Sequence, residues 1–208
     1  MIASKSQAVA RELELKPARR KLDPAEYVEA YRDRSLDIVS RISTTAVAQL
    51  IELLAEALKE HRHVFICGNG GSAATASHFA AGLGKDGSRG RDKKFRVLSL
   101  TDNVPWITSL ANDADYSAIF VEQLENFAQV DDVLIVFSGS GNSRNVVRAV
   151  EWGNSNGLLT IGIIGRPGGR LAEIAQYPVF VESSHMGHVE EAHFLIQHVL
   201  SYYFEEAE

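Results

Sequence analysis

The chain has 208 residues, 45% of them hydrophobic and 23% charged, with a net charge of −6. This is the make-up of a globular domain with a sizeable core, and the acidic balance argues against a nucleic-acid surface over the whole molecule. The single cysteine, Cys67, excludes an internal disulfide, no apolar run is long enough to span a bilayer and none at the N-terminus reads as a secretory signal, so a cytoplasmic protein with no membrane partner is expected.

Residues 1–22 hold six Lys or Arg against two Glu and few large apolar side chains. That composition reads as a basic arm that need not be ordered, followed by one domain over 23–208. Asp23-Pro24-Ala25-Glu26 has the grammar of a helix start, with an acidic cap, Pro in the first turn and Glu at the third position after the cap. Over 45–60, Val47, Leu50, Ile51, Leu54 and Leu58 recur at helical spacing. Two helices thus lead in over 23–62.

From residue 64 the pattern changes. Short apolar runs at 64–67, 95–100, 132–137, 158–164 and 178–182 alternate with helix-compatible stretches. Strands apolar on both faces and separated by helices predict a parallel sheet covered on both sides, a three-layer α/β/α sandwich. The stretch 82–90, rich in glycine and carrying Lys85 and Arg89, with Arg91 just beyond, reads as a mobile loop.

Two loops carry chemistry. Gly68-Asn69-Gly70-Gly71-Ser72 follows the strand Val64–Cys67 and precedes a helix expected over 73–83. Ser138-Gly139-Ser140-Gly141-Asn142-Ser143 follows Val133–Phe137 and precedes a helix over 144–152. In open α/β sheets ligands bind beyond the carboxyl ends of strands, beside helix N-termini whose N–H groups are unpaired. Three serine hydroxyls at such a terminus can hold a phosphate without a lysine. Asn69 and Ser72 can orient hydroxyls. The first loop is neither a dinucleotide fingerprint nor a P-loop, because its glycines are wrongly spaced and no Gly-Lys-Ser/Thr follows. No nucleotide cofactor is expected.

These two loops, together with His78-Phe79, resemble the sugar isomerase (SIS) domain family over about residues 30–204, and within it the phosphoheptose isomerase branch, which also includes a replication-initiator-associating protein. The resemblance implies a five-stranded parallel sheet, a phosphorylated sugar as ligand and a homotetramer with sites between subunits. It implies that Ser138, Ser140 and Ser143 grip the phosphate, that Asn69, Gly70 and Gly71 meet the sugar, and that Asn112-Asp113 belong to the site. The family's isomerases carry a catalytic Glu four residues after the His of the His-Phe pair, as base and metal ligand. Gly82 stands there in this chain. On the last helix the family has Gln eight residues before a second catalytic His, and here Glu190 and His198 take those places. The implied ligand set is then His78, Glu190 and His198, enough for a zinc-type site with an open position. Around a helix Glu190 and His198 lie about 80° apart whereas Glu191 and His198 nearly eclipse, so either Glu could face the site as base. The loss at position 82 keeps open a non-catalytic phosphosugar-binding or protein-interaction role, and a DNA-associated adaptor would find a basic face only in the arm. His185, His188 and His193 add imidazoles whose place the sequence leaves open.

Overall fold

The computed structural model of the chain describes residues 22–207. The basic arm over 1–21 lies outside the described residues. The chain divides into two compact units, one ending at Asp33 and the other running from Arg34.

Helix α1 (Pro24–Ser40) starts as its sequence predicts, with the Asp23 carboxylate accepting from the N–H groups of Ala25 (2.9 Å) and Glu26 (3.1 Å). Helix α2 (Thr44–Lys59) is capped by Ser43, whose hydroxyl accepts from Ala46 N–H, and buries Val47, Leu50 and Leu54. Then follow β1 (His63–Cys67), α3 (Gly71–Ala81), a π-helical turn (Gly82–Asp86), β2 (Arg96–Ser99), α4 (Val104–Asp113), a 3-10 turn (Tyr116–Ala118), α5 (Val121–Phe127) and β3 (Val133–Ser138). The chain closes with α6 (Arg144–Ser155), β4 (Leu159–Gly165), α7 (Leu171–Ile174), β5 (Tyr177–Val181) and α8 (Met186–Glu206). No single helix among the described residues is long and apolar enough to cross a membrane.

All five strands pair in parallel in the order β2-β1-β3-β4-β5. All six residues of β3 are buried, as expected of a central strand covered on both faces. One apolar layer joins Leu50 and Leu54 of α2, Phe79 of α3 and Ile196 and Leu200 of α8 to one face. The other joins Leu124 of α5 and Val146 and Val150 of α6 to the opposite face. Because β1 leads to α3 on one face and β3 leads to α6 on the other, the strand order reverses between β1 and β3. That reversal opens a crevice at the carboxyl ends of the two strands. Both glycine- and serine-rich loops flank it.

The stretch 82–90 is not the loose loop its glycines predict. Leu83 is buried, Gly87 N–H donates to Gly82 O at 3.0 Å, and Ser88 Oγ, also buried, accepts from Phe95 N–H at 3.0 Å. Arg91 donates to the carbonyls of Phe204 and Ala207 at the end of α8, both at 2.7 Å. Here the glycines admit close packing: a Cβ on Gly82 would stand 2.9 Å from Ser201 Oγ, and one on Gly87 would stand 3.3 Å from Phe204 Cβ.

Candidate active site

The serine loop folds back on itself. Ser138 Oγ, buried, accepts from Gly141 N–H at 3.0 Å, and Ser140 Oγ accepts from Asn142 N–H at 3.3 Å. Ser143 begins α6 without a side-chain capping bond, so its hydroxyl is not consumed by the helix it starts. The chain after β4 braces the loop, with Leu171 N–H donating to Gly141 O and Arg170 N–H to Asn142 Oδ1. Two of the three serine hydroxyls thus accept from the loop's own backbone, beside the opening of α6.

The first loop is locked to the second by a pair of amides. Asn69 Nδ2 donates to Asn145 Oδ1 at 2.9 Å, and Asn145 Nδ2 donates back to Asn69 Oδ1 at 2.8 Å. Tyr116 Oη also donates to Asn69 Oδ1, at 3.1 Å. Asn145 is 2% exposed, so its amide needs these partners. Ser72, predicted to meet a sugar, is instead buried beneath the loop, its Cβ and backbone against Gly68.

Helix α8 lies across both loops. Met186 and Val189 pack on Gly139, and the Glu190 carboxyl rests on Gly71 so closely that a Cβ there would collide with it. Glycine at 71 leaves room for that carboxylate at the α3 N-terminus, where the helix dipole favours an anion. Glu190 thus faces the crevice. Glu191, the other candidate base, points elsewhere: its carboxylate accepts from Ser35 Oγ of α1 at 2.8 Å and stands 3.5 Å from His188 Nδ1.

The predicted metal set does not assemble in one chain. His78 Nε2 and His198 Nε2 face each other at 3.1 Å, but Glu190 sits at Gly71, about 10 Å up α3 from His78 at 1.5 Å per residue. Among the described residues no group of three His, Cys, Asp or Glu side chains is arranged for a metal ion. Two imidazoles fall one protein ligand short of a catalytic zinc site. Partial burial, and then the neighbouring His78, hold the His198 imidazole below its ordinary pKa, which favours the neutral ring. The two predicted catalytic residues of α8 are also apart, since eight residues of helix separate Glu190 from His198 by about 12 Å.

Asn112 and Asp113 are not in the crevice. Helix α4 runs through both, and they are exposed and bonded to each other at 2.7 Å. Their place is taken by residues the sequence reading missed. A cavity of about 420 Å³ opens where the two loops meet, lined by Asn69, Asp115, Tyr116, Ser143, Arg144 and Asn145. Asp115 caps the 3-10 turn, accepting from Ser117 N–H at 2.7 Å; hydrogen bonding from the Ser117 side chain and then from that N–H, aided by Arg144 and Arg148, holds its carboxyl below the usual carboxylate range. Of the remaining histidines, His185 and His188 meet at a tilt at the start of α8 with ring centroids 4.6 Å apart. His193 is fully buried beside Phe137, and burial lowers its pKa to about 4.

Residues 26–165 match the model of the SIS domain. The phosphoheptose isomerase of a Nitratiruptor species is 40% identical over 149 residues, covering 70% of this chain and 77% of that protein. The phosphoheptose isomerase of Crocosphaera subtropica is 39% identical over 153 residues, with 74% and 78% covered. Among solved structures, a phosphoheptose isomerase from Francisella tularensis superposes with a TM-score of 0.81 at 27% identity, over 89% of this chain and 100% of that one. The sheet order, the two loops at the reversal point and these likenesses agree: the chain belongs to the SIS domain family and is an isomerase of its phosphoheptose isomerase branch.

Proposed function

We propose that the chain interconverts an aldose phosphate and a ketose phosphate, with sedoheptulose 7-phosphate as substrate and Glu190 as base. The observation that carries the assignment of the base is the seat of the Glu190 carboxylate on Gly71, in the loop that would hold the sugar. It supplies the carboxylate that Gly82 withdraws. Ser138, Ser140 and Ser143 with the α6 N-terminus anchor the phosphate. Glu190 takes the proton from the carbon next to the carbonyl, and the electron pair moves to the carbonyl oxygen, giving an enediolate. The conjugate acid then returns the proton to the neighbouring carbon, while the hydroxyl proton passes between the two oxygens. The positive end of the α3 dipole favours the charge that develops on oxygen.

A homotetramer goes with this reading. Phe194, Leu195, Val199, Tyr202 and Tyr203 leave an apolar stripe exposed along α8, and the His78–His198 pair lies within it. Covering that stripe with another copy would bury area that is costly to leave in water. It would also bring His198 to a sugar held on a different copy, where a neutral imidazole N–H can polarise the carbonyl. The test is turnover of sedoheptulose 7-phosphate by purified protein, with its thermal shift measured alongside. Turnover with a shift supports the reading; a shift without turnover removes the reaction and leaves the ligand; neither removes both.

A further inference from the structure

The cavity at the junction of the loops is lined in part by groups that the phosphate grip and the proton transfer do not use, Asp115 and Tyr116 among them. Ser143 and Asn69 bound it, so it adjoins both the serine loop and the first loop. Asp115 presents a carboxylate there, kept ionised by the Ser117 side chain and N–H group and by Arg144 and Arg148. Tyr116, 54% exposed, stands beside it with its hydroxyl fixed on Asn69. An ionised carboxylate accepts strongly from vicinal hydroxyls, and a phenol held by its donor side keeps its oxygen open as an acceptor. An exposed ring also gives the carbon chain of a sugar an apolar wall. Arg144 on the same wall favours an anion, but Asp115 and Tyr116 do not, since an ionised carboxylate repels a phosphate. They favour the polyol part of the ligand.

We propose that Asp115 and Tyr116 select among phosphosugars by reading the hydroxyls of the carbon chain between the Asn69 loop and Ser143. The inference rests on the phosphosugar reading above and is tested separately from it with two probes. Inorganic phosphate reports the serine loop alone, and sedoheptulose 7-phosphate reports the loop and the cavity together. Calorimetric titration of the full chain is expected to show unchanged phosphate affinity in Asp115→Asn and Tyr116→Phe. Sugar-phosphate affinity should fall roughly tenfold in Asp115→Asn, the size of one lost charge-assisted hydrogen bond, and less in Tyr116→Phe. Equal affinity of wild type and both variants for the sugar phosphate would overturn the proposal, and so would a parallel loss of both probes, which marks a merely structural role. A wild-type protein that binds neither probe would instead sink the phosphosugar reading on which it stands.

Discussion

Acid should destabilise this protein through one buried ring. His193 sits at 0% exposure against Phe137, and neither ring nitrogen has a hydrogen-bond partner among the described residues. Burial moves its pKa from 6.5 to about 4, so the fold holds the neutral ring while the unfolded chain takes up a proton first. The contribution is therefore fully present above the unfolded value, falls away as pH drops towards the folded one, and levels off below it. Between pH 8 and about pH 4.5 the difference in protonation amounts to roughly 2.5 kcal/mol, at 1.36 kcal/mol per unit. Other groups titrate in that range, so the measurement is a comparison. Urea unfolding of wild type and His193→Gln is followed at both ends, and wild type should lose about 2 to 3 kcal/mol more than the variant. Equal losses in the two proteins would refute the reasoning, because they would mean that the ring does not titrate against burial.

Two further substitutions probe the site. Gly71→Ala places a Cβ against the Glu190 carboxyl and should lower turnover on the order of 10²-fold by displacing it. Thermal stability should hold or rise, because alanine is the better helix former. A variant as active as wild type would show that Glu190 is not held where the reaction needs it. Mixing and co-refolding Glu190→Gln with His198→Ala should give turnover that neither has alone, since the 12 Å or so between these residues on one helix forces them to serve a sugar from different copies. No recovery in a mixed oligomer verified by mass would remove His198 from the proposed reaction.

The fold was legible because its signals were local. Each predicted apolar run became a strand of the sheet, and both small-residue loops fell at its carboxyl edge, because a strand buried on both faces has little freedom to read otherwise. Long-range packing is what the sequence concealed. Gly82 and Gly87 resemble loop glycines until α8 is seen lying on them. The resemblance put Asn112-Asp113 in the site, but α4 runs to Asp113 and the following Asp115-Tyr116 open the 3-10 turn beside the loops. Helical angles alone left Glu190 and Glu191 open. The choice is made by what each meets, Gly71 for one and Ser35 with His188 for the other, and the contacts with Gly71 and Ser35 join residues more than a hundred positions apart. The metal set failed for a related reason: matching residue types by place says nothing of the distance along α8 between Glu190 and His198.

The central claim is that Glu190 has taken over the part of the base that Gly82 cannot play. The direct measurement is the turnover number with sedoheptulose 7-phosphate for wild type, Glu190→Gln and Glu191→Gln, each first shown to bind the sugar phosphate. A fall of about 10²-fold or more in Glu190→Gln with binding retained, beside near-normal turnover in Glu191→Gln, is the result predicted for a lost general base. Undiminished turnover in Glu190→Gln would contradict the account and place the base elsewhere.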